Sequence, residues 1–206
     1  MIMKNNKTCF TYVDQLDEKT IDLLDQIIVG KTEDVENGFI GSWMNKNSKE
    51  SYVMLKNSKS DTTKKVTDIA CTFFKNAGIS VNEDYGDISY VSYDYNSAIY
   101  ASWDNWIDNI YCANDGYESV DVHECIIVTK KGENLKDGNM EVYKKNPYTF
   151  LNLIGYEKED KDVYELEAGT VLVFNGDTIH KLQSFKGNGT FNYIIVTMYD
   201  SMCDVK

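Results

Sequence analysis

Imidazole chemistry in this chain rests on two residues, His123 and His180. His180 closes the run Glu167-Ala-Gly-Thr-Val-Leu-Val-Phe-Asn-Gly-Asp-Thr-Ile-His180. That run reads as a short buried strand from Thr170 to Phe174, a tight turn at Asn175-Gly176-Asp177, and a histidine opening the next strand. Asn-Gly supplies the positive φ angles that a hairpin turn requires. A histidine just past such a turn can face the mouth of a β-barrel or sandwich, where imidazole is a ready ligand for a divalent metal. The bland alternative is a half-buried strand-end histidine hydrogen-bonded to a neighbour.

His123 lies in Val120-Asp-Val-His-Glu-Cys125. Strand alternation puts Asp121 and His123 on one face and Glu124 on the other. Asp121, His123 and His180 thus form one candidate metal set; a core histidine bonded to a tyrosine or aspartate is the competing reading. Cys125 reads as a small buried hydrophobe rather than a nucleophile, because no general base adjoins it on a turn.

The elements that must carry these residues follow from periodicity. Cys9 to Val13 reads as a first strand, and Asp17 to Ile28 as a helix with Ile21, Leu24 and Ile28 on one face and Gly30 as its stop. Residues 31 to 50 are polar and broken, a loop with a short strand. Ser60 or Asp61 can cap a second helix, with Val66, Ile69, Ala70, Phe73 and Phe74 sharing a face and Asn76 to Gly78 ending it. From Asp87 the period changes to strands: Ile88 to Tyr93, Ser97 to Trp103, Ser119 to Thr129, Met140 to Lys144, Asp162 to Leu166, Thr170 to Phe174, His180 to Phe185 and Thr190 to Tyr199. No βαβ alternation is present. The expected class is α+β, mainly β: a double-stranded β-helix, or jelly roll, with two N-terminal helices packed on one sheet. We expect one domain over 1–206, with a strand and helical elaboration in 1–80 and the jelly-roll core in 87–200. Asn105 to Gly116, with Trp106 and Tyr111, reads as a lid over a site.

Composition narrows the chemistry further. The net charge is −12, and all 21 basic residues are lysines. An acidic chain repels phosphate backbones, so nucleic acid is not an expected partner. Without arginine there is no bidentate fork for a carboxylate or phosphate, and an anionic ligand must be held by lysine, hydroxyls or backbone N–H groups. Five cysteines, widely spaced and without a CxxC pair, suit reduced thiols in a cytoplasmic setting better than a disulfide framework. No run reaches membrane-spanning length.

Helices followed by a jelly roll, and the segment Gly169 to His180, resemble the Fe(II)/2-oxoglutarate oxygenases, particularly the prolyl 4-hydroxylase-like group. Asp87-Ile-Ser-Tyr-Val-Ser-Tyr93 is similar to the tyrosine-ended strand ahead of that family's first ligands. Glu118 to Tyr143, including Lys136-Asp-Gly-Asn-Met-Glu141, resembles its apolar strand and following Gly-Gly-x-Leu segment. The resemblance implies a His-x-Asp pair on one strand plus a distal histidine holding Fe(II), with 2-oxoglutarate as cosubstrate. Carried onto this chain, Asp104 and His180 are metal ligands, with Tyr93 and Lys181 at the cosubstrate. Ser102 stands where the family has its first histidine, and His123 is the remaining imidazole that can complete the set. The family's arginine anchor falls near Thr190 and Phe191. Cupins give another reading, with His123 early and His180 late in a smaller jelly roll.

Two functions remain open. The first is a binding or interaction protein on a degenerate oxygenase scaffold, with a protein or small molecule as partner and no cofactor. The second is an active Fe(II)/2-oxoglutarate-dependent hydroxylase with an unusual ligand set, in which Lys181 or Lys186 holds the cosubstrate carboxylate.

Overall fold

The computed structural model describes residues 11–33, 39–41, 44–45, 48–56, 61–96, 122–143, 161–175, 178, 180–183 and 185–200. In chain order they form β1 (Thr11–Gln15), α1 (Glu18–Glu33), β2 (Phe39–Gly41), β3 (Met44–Asn45), β4 (Ser48–Lys56), α2 (Asp61–Asn76), β5 (Val81–Asn96), β6 (Val122–Lys131), β7 (Lys136–Asp137), β8 (Met140–Tyr143), β9 (Lys161–Tyr164), β10 (Thr170–Asn175), β11 (His180–Leu182), β12 (Phe185–Lys186) and β13 (Asn188–Asp200).

Asp17 starts α1. Its carboxylate accepts the Thr20 N–H at 3.0 Å and the Thr20 hydroxyl at 2.7 Å, satisfying one of the donors a helix start leaves open. The helix runs through Gly30, where the sequence predicts a stop, and ends at Glu33. One interior glycine costs only about 1 kcal/mol relative to alanine. Leu24 and Ile28, one turn apart and fully buried, anchor the helix to the sheet. In α2 the buried face is Val66, Ala70, Phe73 and Phe74, as its periodicity predicts. The helix closes with Gly78 at φ 77°, the Gly78 N–H donating to Lys75 O at 3.0 Å and the Ile79 N–H to Phe74 O at 2.8 Å. Those two bonds are a Schellman cap, and glycine meets its left-handed φ without strain.

The strands pair antiparallel into one large and two small sheets. The eight-stranded sheet has the order β1-β10-β6-β13-β5-β4-β2, with β3 beside β4; the others are β11-β8-β9 and β12-β7. Two apolar clusters separate the layers. Leu24, Ile28, Val66, Ala70, Phe73 and Phe74 from the helices meet Ile88, Cys125, Ile127, Val171, Ile194 and Val196 on one face of the large sheet. Its other face contributes Val91, Ile126, Val128, Leu172, Phe174, Phe191 and Ile195, which meet Met140, Val142 and Leu182 of the β11-β8-β9 sheet. The order is helices, large sheet, small sheet. The central strands β6, β10 and β13 are buried on both faces, which explains their near-continuous apolar runs. This is a mainly antiparallel β fold with two helices packed on one sheet.

Several boundaries differ from expectation. The first strand is described at Thr11–Gln15 rather than from Cys9. The polar stretch read as largely loop ends in β4, which pairs with β5 from Ser48↔Tyr95 to Lys56↔Asp87. The strand expected from His180 to Phe185 divides into β11 and β12, which join different small sheets. The expected strand at 97–103 and the expected lid at 105–116 lie outside the described residues. Among the described residues, no helix is long and apolar enough to cross a membrane.

Candidate functional site

β10 belongs to the large sheet and β11 to the three-stranded one, and His180 is the first residue of β11. It is buried, with 2% of its surface exposed. Its ring stacks on Phe174, the centroids 4.6 Å apart and the planes 9° from parallel. Nδ1 lies 3.3 Å from the Thr178 carbonyl oxygen. A carbonyl oxygen can only accept, so this contact places a proton on Nδ1.

What Nε2 faces is Glu124, whose Oε2 is 3.8 Å away. Parity along β6 explains the meeting. Ile126 and Val128 belong to the cluster between the two sheets, so Glu124 shares their face; Cys125 and Ile127 belong to the helix-facing cluster. In register, Glu124 pairs with Phe174 on β10, the same phenylalanine on which His180 stacks.

His123 lies on the other face, beside Cys125, and pairs in register with Met198 of the helix-facing cluster. The expected grouping of His123 with His180 is therefore replaced by one of Glu124 with His180, and the reason is a single step of strand parity. Sequence alternation separates Glu124 from His123. It cannot say which face looks toward His180, because both faces of β6 are buried. Asp104, Ser102 and Asp121 lie outside the described residues. Among the described residues, no group of three or more His, Cys, Asp or Glu side chains is placed to hold a metal ion.

The candidate cosubstrate residues are placed by backbone alone. Residue 93 is on β5 in register with Phe191, two positions from Val91 of the inter-sheet cluster. Residue 181 pairs in register with Glu141, on the strand face opposite positions 180 and 182. Lys186, the alternative lysine, is exposed on β12, and its Nζ is 2.6 Å from Asp137 Oδ2. It is thus held by a surface ion pair away from His180's cavity.

That cavity is small and apolar. His180, Ile126, Met140, Leu166, Leu182, Phe191, Tyr193 and Ile195 enclose about 10 Å³. Such a volume is at the threshold for a single water. Phe191 packs against Phe185, with centroids 4.6 Å apart, and against Tyr193 at 5.6 Å. A separate carboxylate, Glu141, lies on β8. It accepts from Lys161 at 2.7 Å, Gln183 at 2.8 Å and Tyr143 at 3.1 Å. Burial pushes its carboxyl up, but these three bonds outweigh that and hold it below its ordinary value.

No protein-family model matches this chain, and no curated protein matches it. Solved structures do. One is a prolyl-4-hydroxylase from Pseudomonas putida, with TM-score 0.54 at 6% identity, covering 93% of this chain and 91% of that one. Another is an oxidoreductase of the 2OG-Fe(II) oxygenase family from Burkholderia pseudomallei, with TM-score 0.50 at 11% identity over 92% and 84%. The epimerase SnoN, solved with Fe3+, alpha ketoglutarate and nogalamycin RO, gives TM-score 0.61 at 11% identity over 93% and 79%. The fold is that of the 2-oxoglutarate/Fe(II) oxygenases. At these identities the likeness concerns the scaffold, and the site must be judged from its own residues. His180 stands at the start of β11 and lines the inter-sheet cavity.

Proposed function

We propose that this chain is a binding protein on a jelly-roll oxygenase scaffold that has given up 2-oxoglutarate. On this reading the large sheet and β11-β8-β9 are the two halves of a double-stranded β-helix. The observation that carries the proposal is the filled, apolar space beside His180. A keto-diacid needs several times the room of one water and a cation for its distal carboxylate. Among the described side chains lining that cavity there is no cation, and Phe191 stands in the region where the resemblance puts the anchoring arginine. Burying a carboxylate there without a charged partner is strongly unfavourable. The residues described therefore do not fit 2-oxoglutarate.

Ser102 supports the same reading, since a serine hydroxyl is a weak ligand for Fe(II) beside imidazole. The partner is a protein or a small molecule; the acidic, tyrosine-rich composition suits a protein surface. Asp104 remains a proposed carboxylate near His180.

The test is isothermal titration with 2-oxoglutarate in the presence of Mn(II), with succinate release measured under air and Fe(II). The expected result is no saturable heat and no succinate above a no-enzyme control. Micromolar 2-oxoglutarate binding, or succinate production lost in His180→Ala, would replace this proposal with an active hydroxylase.

A further inference from the structure

We infer that the edge of β1 facing away from β10 takes up an extended, basic peptide segment of a partner protein as an added strand. β1 ends the eight-stranded sheet and pairs with β10. The Leu16 N–H donates to Gly169 O at 2.9 Å, and that bond fixes the parity of the ladder. Continuing the register that runs from Thr11↔Phe174 to Gln15↔Thr170, residues 12, 14 and 16 turn their N–H and C=O groups toward β10. Thr11, Val13 and Gln15 therefore turn theirs outward. The Gln15 N–H is already taken by Asp14 Oδ1, at 2.8 Å. Among the described residues, nothing bonds to the outward groups of Val13.

The strand lacks the usual guards of an edge. Thr11-Tyr-Val-Asp-Gln15 holds no lysine, proline or bulge, whereas β9, an edge of the three-stranded sheet, carries Lys161. Threonine, tyrosine and valine favour the pleated conformation. Val13 shows 47% of its surface, while its register partner Leu172 is fully buried. An added strand with an apolar side chain beside Val13 would cover it.

Charge selects the occupant. Tyr12 and Asp14 lie on the opposite strand face from Val13, and the Tyr12 hydroxyl donates to Asp14 Oδ2 at 2.7 Å. That bond, and then the Gln15 N–H, hold the Asp14 carboxyl below its ordinary value, so it is ionised at neutral pH. Beyond the strand Asp17 and Glu18, both exposed, precede Lys19. An incoming strand that alternates basic and apolar residues would set a cation beside Asp14 and an apolar side chain beside Val13. A second copy of this chain fits worse, because it brings a net charge of −12 and another Asp14. The inference rests on the binding role proposed above and names the chemistry of its partner.

The experiment titrates the full chain into a fluorescent, end-blocked peptide of alternating lysine and valine, read by anisotropy at about 0.15 M salt. Val13→Pro removes an outward N–H that bonds to none of the described residues, and proline is tolerated at such an edge position. The expected result is saturable binding, weakened at least about tenfold in Val13→Pro and about threefold or more in Asp14→Lys. A peptide of alternating glutamate and valine should not bind. Hydrogen exchange on wild type should show the Val13 amide protected by the lysine peptide, which decides the matter should circular dichroism find Val13→Pro unfolded. No binding to wild type, undiminished binding to folded Val13→Pro, or an unprotected Val13 amide overturns the inference. Self-association of the chain that is lost in Val13→Pro overturns it too, giving the edge to a second copy. The two proposals fail separately: turnover of 2-oxoglutarate would refute the loss of cosubstrate and leave the edge intact, while an edge that takes no peptide leaves the loss of cosubstrate standing.

Discussion

Asp25→Ala is expected to destabilise the protein by about 2–3 kcal/mol, far more than a half-buried helix residue ordinarily would. Asp25 Oδ1 accepts the Asn192 side-chain N–H at 2.7 Å and the Thr129 hydroxyl at 3.0 Å, joining α1 to β13 and β6 at once. Thr129 is the extra residue of a β-bulge: Asn192 pairs with Lys130 and Tyr193 with Val128, so nothing opposes it. The bulge aims its hydroxyl at the helix. Both donors are buried, Asn192 at 1% and Thr129 at 3% exposure. A hydrogen bond to a charged acceptor contributes about 1.5–3 kcal/mol. Two at the low end give about 3 kcal/mol, less the desolvation that Asp25 no longer undergoes and the 3.4 Å contact Thr129 keeps with the Asn192 carbonyl. The assay is urea denaturation followed by far-ultraviolet circular dichroism. With a slope of about 2 kcal/mol/M, the midpoint should fall by about 1–1.5 M. A cycle with Asn192→Ala should show coupling of about 1 kcal/mol or more. A loss below about 0.5 kcal/mol, or one no larger than that of the exposed Asp22→Ala, would refute the argument.

Two further expectations follow from buried polar groups. The Tyr90 hydroxyl is fully buried with no hydrogen-bond partner among the described residues, and burial pushes it up to about 12. Tyr90→Phe should therefore leave stability unchanged or raise it by up to about 1 kcal/mol; a clear loss in thermal melts would mean that the hydroxyl is satisfied. Glu141 has its folded-state carboxyl lowered from 4.5, so its stabilising effect is complete above that value and disappears as pH falls through the lowered one. Glu141→Gln should flatten the acid limb of the stability–pH curve below about 4.5; parallel curves for mutant and wild type would contradict this.

Much of the fold was legible because its helices are amphipathic and its turns are punctuated. Val66, Ala70, Phe73 and Phe74 announce the face of α2, and Gly78 its end. The step from Phe174 through Asn-Gly to His180 announces a strand change that the structure makes a change of sheet. Where the pattern failed, two physical causes recur. A central strand such as β6 is apolar on both sides, so Cys125 to Val128 carries no sign of inside or outside. Glu124's position beside His180 was hidden for that reason. β4 was obscured by composition: Ser48-Lys-Glu-Ser carries little β propensity, and the strand exists because β5 extends to Asn96 and offers a long edge. Gly30 misled because tertiary anchoring by Leu24 and Ile28 overrides one glycine.

The order of the large sheet also dictates an order of events during synthesis. β13 sits between β5 and β6, pairing with both. Its first residue, Asn188, follows the end of β5 at Asn96 by about ninety residues. At roughly 5–20 residues per second, the ribosome needs on the order of 5–20 s to make the strand that joins the two halves. Throughout that interval one long edge of β5 stands open, joined once β6 is complete at Lys131 by one of β6, each a template for another nascent chain. Insertion of β13 is the closing step, and it is non-local by construction, which places it among the slow topologies. Misassembly of this protein should therefore depend on how crowded its polysomes are.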